Sequence, residues 1–118
     1  MFTNMPRENI TPELLANIHP GNILKEDYLP NINMTEYRLA QRLSMRQAHL
    51  SEFLNGKRGL TANWALRLGK LFGQTPQFWL TLQNEYDLLK AQMEYGDVVD
   101  GIVPLESDQE EREYLKAA

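Results

Sequence analysis

Residues 35–58 read Thr35-Glu36-Tyr37-Arg38-Leu39-Ala40-Gln41-Arg42-Leu43-Ser44-Met45-Arg46-Gln47-Ala48-His49-Leu50-Ser51-Glu52-Phe53-Leu54-Asn55-Gly56-Lys57-Arg58, and the apolar spacing within them decides the fold. Tyr37, Leu39, Ala40 and Leu43 share one helical face, and Leu50, Phe53 and Leu54 share another after a break. Between Leu43 and Gln47 stand only Ser44, Met45 and Arg46, too few for an extended antiparallel connection. They suffice for the tight turn of a helix-turn-helix unit, whose two helices cross steeply.

The second helix of this pair exposes Gln47, His49, Ser51 and Glu52, polar side chains of short to medium reach. Asn55-Gly56 ends it, because Gly accepts the left-handed conformation of a C-terminal cap, and Lys57 and Arg58 follow at once. Two readings fit these residues. In one, the helix enters the major groove, where amides, hydroxyls and imidazoles read base edges while cations hold phosphate. In the other, the face is solvated and the cations complement the helix dipole. Spacing alone leaves both open.

At 118 residues and 42% hydrophobic, the chain suits one domain with a core and is too short for two. It has no Cys, so neither a disulfide framework nor a thiolate metal site is available, and an intracellular compartment is the simplest reading. Met1-Phe2-Thr3-Asn4 does not begin a signal peptide, and no apolar run approaches the roughly 20 residues that span a bilayer. A soluble, cytoplasmic protein without membrane contact is expected.

A net charge of -4 would argue against a nucleic-acid partner if it were spread evenly. From His19 to Gly73, however, eight cations face four acids, a local balance of +4. Beyond Gly96 seven acids face two cations, a balance of -5. A basic middle with an acidic tail is compatible with groove binding, which depends on local charge.

Ahead of the central pair, Thr11-Pro12 has the composition of a helix start, with Leu14, Leu15 and Ile18 as a short apolar stripe. His19-Pro20-Gly21 then punctuates the chain. Ile23, Leu24, Tyr28 and Leu29 predict a helix of about nine residues that Pro30 ends, leaving 31–34 as a loop. Thr35 caps the next helix. After the pair, Thr61 caps a helix with Trp64, Ala65, Leu68, Leu71 and Phe72 inward, stopped by Gly73.

Thr75-Pro76 opens a last domain helix of roughly 20 residues, to Tyr95, with one broad apolar face. Burying each large side chain contributes roughly 1.5–3 kcal/mol. The face exceeds what so small a core absorbs, so Phe78, Trp79, Leu82, Tyr86 and Leu89 are expected to meet a second copy.

The expected organisation is a short N-terminal extension over 1–18, a domain over 19–95 and an acidic tail over 96–118. Within the tail, Ser107 and Glu110 have capping-box spacing for a short helix; otherwise the tail is disordered. His19 and His49 share no motif, so no metal is expected. The sequence has no glycine-rich phosphate cradle and no constellation of nucleophile, base or paired carboxylates, so neither catalysis nor a cofactor is expected.

Taken in order, His19-Pro20-Gly21-Asn22-Ile23-Leu24, Arg38-Leu39-Ala40, Asn55-Gly56-Lys57-Arg58-Gly59-Leu60-Thr61, Ala65-Leu66-Arg67-Leu68 and Thr75-Pro76-Gln77-Phe78-Trp79-Leu80-Thr81-Leu82-Gln83 resemble the HigA-type antitoxins. These belong to the lambda-repressor-like, or XRE, helix-turn-helix group and are also called virulence-associated protein I. The resemblance covers about residues 19–89. It implies an all-α, five-helix domain that forms a homodimer and binds a palindromic double-stranded DNA operator in its own promoter. It also implies a partner, a RelE-like ribonuclease toxin of the HigB type that the antitoxin neutralises.

Matching the recognition helix puts Gln47, Ala48 and Ser51 at base-reading positions, with His49 and Glu52 at their margin, and Arg46, Asn55, Lys57 and Arg58 at phosphate. Gln suits bidentate contact with adenine, and Ala suits a thymine methyl. The chain departs from the family pattern in three places. Ser44 stands where the turn commonly has Gly and must accept a left-handed backbone, at about 1–2 kcal/mol, or reshape the turn. Glu36 replaces a phosphate-binding Gln and would repel phosphate. The N-terminal extension and acidic tail lie outside the shared region. A stand-alone phage-like repressor without a toxin, and a neutralising module without DNA binding, are the competing functions.

Overall fold

The computed structural model describes residues 5–105 and 109–117. Among them are seven α-helices and no strand: α1 Pro12–Ile18, α2 over 20–32, α3 Glu36–Arg42, α4 Gln47–Leu54, α5 Ala62–Phe72, α6 Pro76–Asp100 and α7 Gln109–Ala117. The all-helical class is as expected, but the count of five is corrected to seven. The five expected helices correspond to α2 to α6, and α1 and α7 flank them. Ser107 of the expected capping box lies outside the described residues.

Three helices begin at threonine caps. The hydroxyls of Thr11, Thr35 and Thr61 accept from the amides of Leu14, Arg38 and Trp64 at 3.1, 3.1 and 3.3 Å. Thr75 holds the same position before Pro76 but makes no side-chain cap bond.

Pro30 does not end α2. The helix passes through a wide turn over Leu24–Tyr28 and continues over Leu29–Ile32, ending where Asn33 turns left-handed at φ 51°. That wide turn lies immediately ahead of Pro30, where the ring would otherwise meet the carbonyl of the preceding turn.

The main core joins Leu24 of α2, Leu39, Ala40 and Leu43 around α3, Leu50, Phe53 and Leu54 of α4, Ala65 and Leu68 of α5, and Trp79 of α6. Tyr37, placed on this face by spacing, is instead exposed. Leu39, Ala40 and Leu43 fill the contact without it. A second cluster of Ile10, Leu15 and Leu89, with Ile18, Tyr86 and Met93 against it, packs the segment before α2 onto α6.

Buried polar groups tie the helices together. Trp79 Nε1 donates to Gln74 Oε1 at 2.9 Å, and Gln74 Nε2 donates to the Tyr28 hydroxyl at 2.8 Å. Gln83 Oε1 accepts from the Leu60 amide at 2.7 Å. Among the described residues no helix is long and apolar enough to cross a membrane.

The long helix α6 passes Tyr95, where a stop was expected, and runs through Gly96 to Asp100. Arg7 crosses it there. A Cβ at Gly96 would lie 2.7 Å from Arg7 Nη1, so the missing side chain makes room for the crossing. Arg7 then pairs with Asp97 at 2.7 Å and Asp100 at 3.1 Å. These contacts help offset the roughly 0.5–1 kcal/mol that Gly costs inside a helix.

Candidate nucleic-acid interface

The turn between α3 and α4 closes by two backbone bonds, Met45 N–H to Ala40 C=O at 3.0 Å and Ser44 N–H to Gln41 C=O at 3.1 Å. This is the Schellman closure of a helix end, with Ser44 at φ 54° in the position Gly usually takes. Of the two alternatives raised by Ser44, the chain adopts the left-handed backbone. Arg67, reaching over from α5, donates through Nη1 to the carbonyls of both Leu43 and Ser44, while its Nε donates to Asn63 Oδ1 at 2.9 Å. The turn is thereby fixed to α5. In the sequence Arg67 stands out as a basic charge and as part of the Ala65-Leu66-Arg67-Leu68 motif, with Asn63 one helical turn earlier as the hint of its local partner.

The far end of α4 closes the same way. Lys57 N–H donates to Glu52 C=O at 2.8 Å and Gly56 N–H to Phe53 C=O at 3.1 Å, with Gly56 at φ 74°. Below it sits the buried His19. Its Nδ1 accepts from the Gly21 amide at 2.9 Å, capping α2, and its ring packs 5.7 Å from Phe53 and 4.8 Å from Tyr86. Burial holds the imidazole below its ordinary pKa of 6.5, opposed by a hydrogen bond to the Arg58 backbone and by Asp87. Gly21 lets α2 touch α4 directly: a Cβ there would lie 1.7 Å from the Phe53 carbonyl oxygen. The His19-Pro20-Gly21 motif is therefore a seat for the second helix of the pair.

Between these two anchors, Gln47 and Ala48 are exposed at the start of α4, and His49 and Ser51 are half-buried beside them. Glu52 and Arg58 do not face outward independently. Arg58 Nε and Nη2 both reach Glu52 Oε2 at 3.1 Å, and the guanidinium lies 5.6 Å over the Trp64 ring. Arg58 thus braces the loop after α4 and neutralises the acid on the exposed face. The Asn55 amide nitrogen donates to the Ser51 carbonyl at 2.9 Å, and Lys25 Nζ reaches Asn55 Oδ1 at 3.4 Å.

Arg46, at the N-cap of α4, and Lys57 are exposed and make no ion pair among the described residues. Arg42 and Lys70 are likewise exposed, and with Arg67 they line a shallow cavity of about 480 Å³ beside the turn. Grouping Arg42 with Lys70 required the tertiary fold. Glu36 stands in the first turn of α3, where the positive helix end favours it.

The expected self-association face of α6 is altered by packing. Trp79 and Leu89 are fully buried within the chain, and Leu82 and Tyr86 are half-buried against its cores. Of that set only Phe78 stays substantially exposed, at 40%. The polar Gln74 and Tyr28 beside Trp79, and the N-terminal arm over Leu89, absorb what sequence reading assigned to a second copy.

No family model matches the chain. It is 38% identical over 91 residues to virulence-associated protein I of Dichelobacter nodosus, covering 77% of this chain and 83% of that one. It is 32% identical over 85 residues to antitoxin HigA-1 of Vibrio cholerae, covering 72% and 80%. Among solved structures, the Pseudomonas aeruginosa antitoxin HigA with the higBA promoter superposes with a TM-score of 0.70 at 34% identity, covering 74% of this chain and 96% of that one. The fold and the turn geometry define a protein of the helix-turn-helix class. Within that class, the chain belongs to the HigA-type antitoxin family.

Proposed function

We propose that this protein is the antitoxin of a type II toxin-antitoxin pair: it neutralises a RelE-like ribonuclease toxin in the cytoplasm and, as a dimer, represses its own operon. The observation that carries the DNA-binding half is the first turn of α4. Exposed Gln47 and Ala48 stand between the cations Arg46 and Lys57, which make no ion pair among the described residues, on a helix anchored at one end by Arg67 and at the other by His19 and Gly21. A rigid helix with a short polar tip and flanking charge suits the major groove, because phosphate contacts fix register while base edges are read.

In this reading Gln47, Ala48 and Ser51 read bases, with His49 at the edge, and Arg46, Lys57 and Asn55 meet the backbone. Arg42 and Lys70 extend the positive surface beyond the turn. Glu52 and Arg58 serve mainly to hold the helix and loop in place. Two copies would set their recognition helices about 34 Å apart, matching successive major grooves of a palindrome. On the α6 face Phe78 is the substantially exposed residue available to a second copy, whereas Trp79 and Leu89 are buried.

The test is a pull-down of tagged protein from its native host, with proteins and DNA fragments identified in one eluate. A small basic ribonuclease together with the protein's own promoter supports the proposal. DNA with no protein partner removes the antitoxin half in favour of a solitary repressor. A protein partner with no DNA removes the repressor half.

A further inference from the structure

The second half of α6 carries large apolar side chains that neither core uses. Leu88, Tyr95 and Val99 are 56%, 59% and 57% exposed, and Val98 within the helix and Ile102 and Val103 beyond its end are exposed as well. Leu88, Tyr95 and Val99 line a groove of about 530 Å³ whose other walls are Arg7, Glu8 and Asp100.

The groove has fixed walls. Arg7 is clamped to Asp97 and Asp100, the close approach at Gly96 seats it against α6, and Ile10 and Leu15 pack the arm onto Leu89. An exposed apolar surface of this kind marks a place where another molecule binds.

Charge decides which molecule. Glu8 and Glu94 are exposed and make no ion pair among the described residues, while Asp97 and Asp100 share one guanidinium between them. From Glu94 onward the sequence carries eight carboxylates against two cations. A second copy seated symmetrically would bring this acidic region against itself, and the chain's own tail has the same sign. A ribonuclease must instead present positive charge to hold RNA phosphates. The acidic surroundings therefore complement such a partner, and the apolar floor supplies a contact that salt does not screen.

We propose that this groove docks a basic, amphipathic segment of the toxin, on the surface remote in sequence from the helix-turn-helix. The inference rests on the antitoxin reading above and adds where the toxin sits. DNA and toxin would then occupy separate surfaces of one chain.

The test is calorimetric titration of the full-length protein with the small basic ribonuclease encoded beside its gene. Wild type is compared with L88E, with V99E and with the charge reversals E8K and E94K combined. These positions are exposed, so folding should survive, and circular dichroism with binding to the protein's own promoter duplex checks it. The proposal expects at least tenfold weaker ribonuclease binding in each variant, unchanged promoter binding, and weaker wild-type binding as salt rises.

Normal ribonuclease binding by all three variants overturns the docking site and leaves the antitoxin reading standing. No ribonuclease binding by wild type, or no such ribonuclease encoded there, overturns both. If light scattering shows that L88E or V99E dissociates a homodimer, the groove is a self-association face and the proposal fails.

Discussion

Replacing Ser44 by Gly should stabilise this protein, and the structure contains its own control. Three helix ends close with the same backbone pattern, through Met45 N–H to Ala40 C=O, Lys57 N–H to Glu52 C=O and Gln74 N–H to Gly69 C=O. The left-handed residues in these closures are Ser44, Gly56 and Gly73, at φ 54°, 74° and 69°. A side chain held in that conformation costs roughly 1–2 kcal/mol. Glycine removes this cost but loses roughly 0.5–1 kcal/mol in extra freedom given to the unfolded chain. S44G should therefore gain about 0.5–1 kcal/mol, or roughly 2–6 °C in Tm for a domain of this size. A Cβ built at Gly73 meets nothing within 4 Å, so G73S isolates the same term with opposite sign. Urea denaturation followed by circular dichroism reads both as shifts of midpoint at constant slope. If S44G is neutral or destabilising while G73S shows its loss, the Ser44 side chain contributes something that backbone strain does not describe.

Three further expectations follow from the anchors of α4. R67M keeps the side-chain bulk but leaves the Leu43 and Ser44 carbonyls without their charged donor. It should lower stability by about 1–2 kcal/mol, after discount for partial exposure, and weaken promoter binding, read by thermal melting and anisotropy. G21A forces a Cβ into the Phe53 carbonyl; overpacking costs roughly 1–3 kcal/mol, and thermal melting should show a loss at or beyond the top of that range. Because the folded pKa of His19 lies below its unfolded value, the unfolded chain binds the extra proton between the two. This contribution is complete above pH of about 6.5, falls as pH drops to the folded pKa, and is flat below it. Urea titrations across that window should show the fall in wild type and a reduced one in H19Q.

The features legible in the sequence were the local ones. The threonine caps, the left-handed stops at Gly56 and Gly73, and the short turn between α3 and α4 depend on residues a few positions apart, so composition and spacing could locate them. The errors came from contacts between distant segments. Pro30 was read by its usual effect inside a helix, but a wide turn ahead of it accommodates the ring. Trp79 and Leu89 looked like surplus apolar surface because their partners, Gln74 beside Tyr28 and the arm bearing Ile10 and Leu15, adjoin them only after folding.

The candidate interface divides in the same way. Exposed Gln47 and Lys57 followed from spacing, whereas Ala48 was placed at the tip by the family resemblance. The pairing of Arg58 with Glu52 and Trp64, and the attachment of Arg67 to the turn, bring together residues on different elements that share no periodic signal. Gly96 is the clearest instance of context changing meaning. Alone it reads as a helix stop, yet under Arg7 it is the small residue that allows two segments to cross.

The most direct measurement is fluorescence anisotropy of wild type, Q47A and K57A on a duplex from the protein's own promoter, titrated across salt with unrelated competitor DNA. The account predicts that wild-type binding survives competition and that Q47A weakens binding to this duplex by about 1–3 kcal/mol while leaving nonspecific binding intact. K57A should weaken binding to all sequences and reduce the magnitude of the salt slope by about 1. Equal affinity of wild type for promoter and competitor, with neither variant changing affinity or slope, would contradict it.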